Sequence, residues 1–367
     1  MFNWAKNAVG ITEPIYGPSA IQSVANQTPS YTEVQKQDLA WEVMDTTNVE
    51  TKTFYMTSDS GHLGLAQIIY SNVLGVRTTA QFNSKIYYPK EAGKEHLWAS
   101  DNLANFEFSK DKQNFKTKNG DVIMNLSEDG TSYTIKSTIN RGSVVDLKFT
   151  QAAPGFMAGK NGTTSYGTDA QKPWGRMVHK FWPRCKVEGS IMTQSGPVDF
   201  TGRGVFIHAL QGMKPHFAAA RWNFANFQSP SYSAILMEFT TPKSYGETVV
   251  AVGGIATDGK ILMAGGSPNI QATHTDVKGD PDNDWPEPGK AKFEWKGEGT
   301  EAVLEGSILP RVDRVDVMGE LPKFVKQIAT QASGTKPYIY QYTPKLTLEI
   351  NGQKEEGQLF MEATFIS

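Results

Sequence analysis

The 367-residue chain contains a single cysteine, Cys185, so neither an intramolecular disulfide nor a thiolate metal cluster can form within it. It has no excess of positive charge, because 36 Lys and Arg residues stand against 38 Asp and Glu residues. Nucleic-acid-binding proteins usually concentrate basic residues, so nucleic acid is not an expected partner. There is no run of 18 apolar residues, and the first ten residues lack the apolar core and cleavage site of a secretory signal. These absences predict a protein of the cytoplasm.

Long stretches rich in Ala, Glu and Leu are also scarce, whereas glycine (34) and proline (19) are frequent. From Trp41 onward, short segments of alternating hydrophobicity are separated by turn sequences such as the one at residues 118–120. This pattern predicts an all-β protein built from meandering antiparallel strands. A second series of strands begins near residue 200, where we expect the boundary between two domains. Only residues 321–331 have the periodicity of an internal helix.

The first dozen residues have the pattern of a short amphipathic helix, with apolar residues on one half of a helical wheel and polar residues on the other. At ~1.5 Å per residue this helix is about 18 Å long, too short for a hydrocarbon core of roughly 30 Å. It could lie in a membrane interface or dock on the body of the protein, and the aromatic side chains near its start slightly favour the membrane. The candidate membrane-binding residues are Met1, Phe2, Trp4, Ala5, Ala8, Val9 and Ile11.

The motifs for phosphate, metal and nucleophilic chemistry are incomplete. Residues 254–260 resemble a phosphate-binding loop, but Ile261 stands where that loop needs Ser or Thr. The alternating aspartates at 280–284 lack the glycine and the glutamate that complete a calcium loop. No Gly-x-Ser-x-Gly elbow is present, and the six histidines form no closely spaced pair. We therefore expect no metal and no cofactor, and we assign no catalytic residue.

Residues 200–224 combine aromatic side chains, a methionine, two histidines and an arginine. On neighbouring strands they could surround an apolar cavity with a few polar groups at its mouth, which suits an amphiphile. They could equally be ordinary barrel core with polar residues at the rim, and the pattern alone favours this second interpretation. A group around Trp174, Phe181 and Trp182 allows the same two interpretations. The candidate lipid-binding residues are Phe206, His208, Met213, His216, Arg221, Trp222 and Phe224.

Five longer segments are distinctive: TEPIYGP at 12–18, TNVETKTFY at 47–55, QIIYSN at 67–72, FIHALQGMKP at 206–215 and KPYIYQY at 336–342. Together they resemble the fungal survival factor 1 family, in order and over essentially the whole chain. The resemblance implies two lipocalin-like (calycin) antiparallel β-barrel domains in tandem, over residues 13–199 and 200–367, after an amphipathic helix over residues 1–12. It also implies binding of ceramide or a related sphingolipid, non-vesicular ceramide transfer from the endoplasmic reticulum to the Golgi, and a role in survival of oxidative stress.

The same resemblance implies that the N-terminal helix is acetylated on Met1. Acetylation removes the amino charge, which allows Met1 to enter the apolar face, because a buried unpaired ammonium is costly. This favours the membrane interpretation of the helix. The expected location is therefore the cytoplasm, in peripheral association with endoplasmic reticulum and Golgi membranes, with the nucleus as a further location.

Two other functions stay open. The tandem architecture is also similar to that of carotenoid hydratases and fungal pericyclases, so an enzyme acting on a hydrophobic substrate is the alternative. Carboxylic acids with a raised pKa in a cavity would favour it. In the hydratases an acidic residue lies beside the strand that here contains residues 206–208, whereas neither neighbour of this segment is acidic in this chain. The third hypothesis is a stress-response scaffold whose barrels are filled by their own side chains.

Overall fold

The computed structural model describes residues 14–73, 75–297, 299–317 and 337–367. Both predicted helices, at 1–12 and 321–331, lie outside these ranges, and so do all seven candidate membrane-binding residues. The described chain is mostly strand and forms two nearly closed antiparallel barrels of lipocalin-like type, which confirms the predicted fold class. No helix among the described residues is long and apolar enough to cross a membrane.

The first barrel is built from one large antiparallel sheet. Its strands are β1 Ile21–Gln22, β2 Tyr31–Glu33, β3 Asn48–Ser58, β4 Leu63–Val73, β5 Arg77–Tyr87, β6 Leu97–Leu103, β7 Phe106–Phe108, β8 Phe115–Thr117, β9 Val122–Leu126, β10 Ser132–Ser137, β11 Ser143–Gln151, β12 Phe156–Ala158, β13 Thr163–Tyr166, β14 Gly175–Thr193, β15 Gly196–Asp199 and β16 Gly202–Gln211. The main path runs β6-β5-β4-β3-β16-β14-β11-β10-β9-β8-β7, so the long strand β14 lies beside β16 at its centre.

The second barrel is built from a second antiparallel sheet. Its region contains β17 Arg221–Gln228, β18 Ser233–Thr240, β19 Val249–Thr257, β20 Lys260–Gly266, β21 Ile270–Thr275, β22 Lys278–Gly279, β23 Pro286–Glu287, β24 Lys290–Gly297, β25 Thr300–Ser307, β26 Arg311–Asp316, β27 Tyr338–Tyr342, β28 Lys345–Ile350 and β29 Gln353–Phe365. The main path runs β20-β19-β18-β17-β29-β28-β25-β24-β21; β27 joins β26 to β29, and β22 and β23 form a separate ribbon.

Helical segments within the described residues are short. They are the α-helix α1 Pro215–Ala218 and the 3₁₀ turns Pro18–Ala20, Val24–Asn26, Lys36–Leu39, Lys90–Ala92 and Lys243–Tyr245.

Strict alternation explains why these sequences form half-buried strands. On β28, Leu346, Leu348 and Ile350 are buried while the residues between them are exposed, because successive side chains of a strand point to opposite faces of the sheet. Three apolar clusters result: one fills the first barrel, one fills the second, and the third lies between them. The cluster between the barrels forms because several strands are buried on both of their faces.

Strand β16 shows this double burial most clearly. Phe206 belongs to the cluster inside the first barrel, whereas Val205 and Ile207 belong to the cluster between the barrels. Because β16 pairs with β3 and β14, it is part of the first sheet. The chain passes from the first sheet to the second between Gln211 and Arg221, later than the predicted division between residues 199 and 200.

Candidate binding site between the two barrels

A cavity of about 200 Å³ lies where the outer faces of the two barrels meet. Strands β3, β14 and β16 of the first barrel line one side, and β17, β18 and β29 of the second barrel line the other. The lining residues are Val49, Thr51, Met177, His179, Ala209, Leu210, Gln211, Trp222, Phe224, Met237, Glu362 and Thr364. The cavity therefore exists only where the two barrels are packed together.

The two aromatic residues of the lining are alternate residues of β17. Trp222 and Phe224 point out of the second barrel, whereas the following residue, Ala225, points inward and belongs to the interior cluster of that barrel. The Trp222 ring centroid lies 5.3 Å from that of Phe239, and Phe224 lies 5.0 Å from Tyr55 of the first barrel. Two methionines complete this surface, and their unbranched side chains adapt readily to the shape of an apolar ligand.

Two ionisable residues within the described part of the chain line the cavity, His179 and Glu362. His179 is buried, and desolvation lowers its pKa to about 4, so its imidazole is uncharged near neutral pH. Its ring lies 5.9 Å from that of Trp222. Burial raises the pKa of the Glu362 carboxyl, although a hydrogen bond from Gln341 and the charge of Lys85 oppose this effect. The polar groups of the cavity are thus poorly suited to carrying charge.

Glu362 is held in place by a chain of hydrogen bonds that joins the barrels. Gln341 Nε2 donates to Glu362 Oε1 at 2.6 Å, while Gln341 Oε1 accepts from Tyr87 Oη at 2.6 Å and from Lys85 Nζ at 2.7 Å. Lys85 also forms an ion pair with Asp313. Because two donors from the first barrel fix the orientation of the Gln341 amide, its NH₂ group must face Glu362.

The structure brings only two of the seven candidate lipid-binding residues, Trp222 and Phe224, into the cavity. Met213 is buried in the cluster between the barrels, where its side chain packs against Gly175. His216 lies on α1 with its ring 4.1 Å from that of Phe217, and Arg221 is exposed. Lipid binding by these residues stays a prediction.

The other two candidates, Phe206 and His208, point into the first barrel. His208 Nε2 donates to Glu50 Oε1 at 2.7 Å, and Glu50 also accepts the backbone N–H groups of Glu42 and Val43. Although burial opposes ionisation of Glu50, these hydrogen bonds keep its pKa below the usual value, and burial lowers the pKa of His208 to about 4. His208 is therefore a neutral donor that helps to hold a loop across the barrel end.

The adjacent buried lysine closes the same barrel end. Lys52 Nζ donates to the backbone oxygen of Leu39 at 2.6 Å and to Tyr133 Oη at 3.1 Å, and it lies 4.9 Å from the Trp41 ring centroid. Burial lowers the pKa of Lys52 to about 7. Leu39 and Trp41 fill the barrel beneath it, so the interior here is occupied by the protein's own side chains.

A second hollow, of about 580 Å³, lies at one end of the first barrel. Its lining is Tyr88, Lys94, Glu95, Leu97, Trp98, Ala99, Asn140, Gly142, Ser143, Thr193, Gln194 and Ser195. Hydroxyl, amide and charged groups dominate this lining, and Trp98 is 40% exposed. The smaller cavity between the barrels is therefore the better site for an apolar ligand with few polar groups.

Four further lining residues were not predicted from the sequence: Met177 and His179 of the first barrel, and Met237 and Glu362 of the second. These residues are far apart in the chain, and they meet only because β14, β18 and β29 pack across the contact between the barrels. One local signal exists, since Glu362 is a single acidic residue among the apolar residues of 359–363. A carboxyl group in such a strand is an indication of a buried polar site.

Three fungal proteins are similar to this chain over essentially their whole length. The chain is 55% identical to the ceramide-binding protein svf-1 of Neurospora crassa and 51% identical to svf1 of Aspergillus fumigatus, over 100% of each chain. It is 39% identical to svf1 of Schizosaccharomyces pombe, another protein named as ceramide-binding, over 99% of each chain.

Solved structures of low sequence identity share the fold. A protein described as a putative AttH from Nitrosomonas europaea superimposes with a TM-score of 0.61 at 13% identity, covering 92% of this chain and 98% of its own. Kievitone hydratase from Nectria haematococca gives a TM-score of 0.59 at 12% identity, with coverage of 96% and 98%. These two show the architecture alone. A sequence model of the Svf1 family matches residues 2–367, and the chain therefore belongs to the Svf1 family.

Proposed function

We propose that this protein is a ceramide carrier, not an enzyme, which binds its lipid at the cavity between the barrels. The full-length relatives named as ceramide-binding proteins support the choice of ligand. The observation that carries the choice of site is the lining itself. It combines Trp222, Phe224 and two methionines with a neutral histidine and a carboxyl group of raised pKa.

This lining matches the chemistry of ceramide, which joins two long hydrocarbon chains to a small amide and diol head. The head must exchange its hydrogen bonds with water for hydrogen bonds with the protein, or pay the full desolvation cost. Thr51, His179, Gln211 and Glu362 offer donors and acceptors for this purpose. Each buried methylene contributes about 0.8 kcal/mol, so even ten of them give roughly 8 kcal/mol before the costs of association.

The cavity must enlarge to admit the chains. Its volume of about 200 Å³ lies below the range of roughly 300–1,000 Å³ that is usual for small-molecule sites. Met177 of the first barrel and Met237 of the second both line the cavity, and methionine side chains change conformation at little cost. We infer that the head and the first methylenes occupy the existing space, and that the chains separate the apolar surfaces around it.

Native mass spectrometry tests the carrier function. Protein purified without detergent and incubated with ceramide-containing vesicles should gain the mass of one ceramide per chain. Met237→Trp should abolish the gain, because the larger ring fills the cavity. Met192→Trp is the matched control, since Met192 is 45% exposed on another surface and its replacement should leave binding intact. Absence of bound lipid in the unmodified protein would refute the proposal.

Delivery to membranes is the second part of the proposal. We infer that the amphipathic residues 1–12, with an acetylated Met1, hold the carrier against endoplasmic reticulum and Golgi membranes while ceramide is loaded and released. The short apolar face of this segment supports a reversible contact, because interfacial binding strength scales with the buried apolar area. Survival of oxidative stress would then depend on the ceramide supplied from one membrane to the other.

One observation favours the enzyme alternative. Glu362 is a cavity-lining carboxyl of raised pKa, which is the property that a general acid requires near neutral pH. Incubation with ceramide or with polyene lipids followed by mass analysis of the extracted lipid separates the two functions. A carrier returns the lipid unchanged, whereas an enzyme returns a product whose formation is lost in Glu362→Gln.

A further inference from the structure

We propose that the cavity between the barrels selects the uncharged head of ceramide and rejects the phosphorylated form of the same lipid. This inference rests on the proposed binding of ceramide at this site. It goes further by assigning the basis of head-group selection to the charges around the cavity.

Among the residues that the structure describes, the lining contains no lysine and no arginine. The nearest buried cation in the adjoining hydrogen-bond chain, Lys85, already donates to Gln341 and is paired with Asp313. On β14, Arg176 is paired with Glu42. Lys85 and Arg176 are thus bound to carboxylates of the protein, and neither of them is part of the cavity wall.

The two ionisable groups of the wall do not compensate a phosphate. Ionised Glu362 would repel it, and protonated Glu362 would supply a hydrogen bond but no positive charge. His179 is buried beside Trp222 and is neutral near pH 7. A phosphomonoester carries a charge of about −1.5 to −2 near neutral pH, so it would enter a largely apolar space without a counter-charge.

The amide and hydroxyl groups of ceramide meet no such penalty. They need only hydrogen-bond partners, and Gln211, Thr51, His179 and Glu362 supply both donors and acceptors. The same wall therefore favours a neutral head and opposes an anionic one, whichever protonation state Glu362 adopts.

Competition between two lipids tests the inference. A short-chain fluorescent ceramide is bound to the full-length protein and displaced by ceramide or by ceramide 1-phosphate with identical chains, in the presence of the same carrier solvent. We expect ceramide 1-phosphate to compete about 100-fold more weakly, because burial of an unpaired charge is far more costly than burial of a hydroxyl. Competition by the two lipids within about threefold of each other would overturn the inference.

A single added cation provides the second arm. Gln211 lies at the end of β16 and is half-buried, so Gln211→Lys places an ammonium in the wall without a large change in side-chain length. Gln211→Met is the matched control without charge. Relative to this control, Gln211→Lys should improve competition by ceramide 1-phosphate by about tenfold or more and should not improve competition by ceramide. An equal response of both variants would contradict the assignment.

Failure of the carrier function and failure of the charge-based selection give different results. If the unmodified protein binds neither lipid in native mass spectrometry, the proposed ceramide carrier is refuted. If it binds ceramide and its phosphate equally well, the carrier stands and only the charge-based selection is refuted.

Discussion

Replacing Arg184 by methionine should destabilise the protein through loss of a buried connection between the barrels. The guanidinium is 2% exposed and extends from β14 to the turn between β17 and β18. It donates to the backbone oxygens of Ser229 at 3.2 Å and Pro230 at 2.5 Å, to Ser233 Oγ at 3.1 Å, and to Asp258 Oδ1 at 2.5 Å. Methionine keeps most of the apolar stem but leaves these acceptors without their donor.

The expected loss follows from which partners are buried. Ser229 and Ser233 are buried, whereas Pro230 is exposed and its oxygen can bind water instead. Each buried acceptor left without a partner costs ~1–3 kcal/mol, so these two predict a loss of about 2–4 kcal/mol. The ion pair itself contributes less, because the Asp258 side chain is 76% exposed and such pairs are worth roughly 0–1 kcal/mol. Asp258→Asn should therefore cost less than about 1 kcal/mol.

Urea unfolding followed by circular dichroism measures both variants, with the midpoint and the slope compared to those of the unmodified protein. A loss in Arg184→Met several times larger than in Asp258→Asn is the expected result. Equal losses would show that the ion pair, and not the hydrogen bonds to the turn, carries the connection. A loss below about 1 kcal/mol in Arg184→Met would refute the reasoning as a whole.

Three further predictions concern the site and the membrane. Trp222→Ala should weaken ceramide binding at least about tenfold, because a large apolar wall of the cavity is lost; unchanged affinity in native mass spectrometry would place the lipid elsewhere. The pKa of His179 is lowered to about 4 in the folded protein, so only the unfolded chain takes up this proton as the pH falls from about 6.5, and stability is lost between these two pH values. His179→Phe should reduce that loss by up to roughly 3 kcal/mol in urea titrations at pH 4.5 and 7. The same pH dependence of stability in the variant and the unmodified protein would contradict this assignment. Changing Phe2 and Trp4 together to Asp should abolish flotation with vesicles and leave the thermal midpoint nearly unchanged; a large fall in the midpoint would instead show that the helix docks on the protein.

The β class was predictable because alternation is a local property of the sequence. On β28 and in the core part of β29, every second residue is apolar and buried, and the turns between strands contain the expected glycines. The pairing of β16 with both β3 and β14 is a long-range event with no local signature. For this reason, local strand series do not reveal that β16 belongs to the first sheet.

The candidate site was predicted only in part, because alternation does not reveal what covers each face of a strand. The sequence interpretation assumed one apolar interior and therefore grouped Phe206 with Trp222. In the structure Phe206 fills the first barrel, whereas Trp222 points out of the second barrel toward the first. Strands buried on both faces separate residues that are close in sequence, and they join residues such as His179 and Glu362 that are distant.

The packing of β29 against the first barrel has a consequence for biosynthesis. Phe360 lies 5.1 Å from Tyr55 and 5.5 Å from Tyr87, and β29 also supplies the strand that joins β17 to β28. At roughly 5–20 residues per second, the ribosome needs several seconds or longer to make the second barrel after the first has emerged. During that time the apolar outer face around Val205 and Ile207 has no cover. The nascent chain is therefore a natural client for chaperones, and folding to the native state is completed only after β29 has left the ribosome.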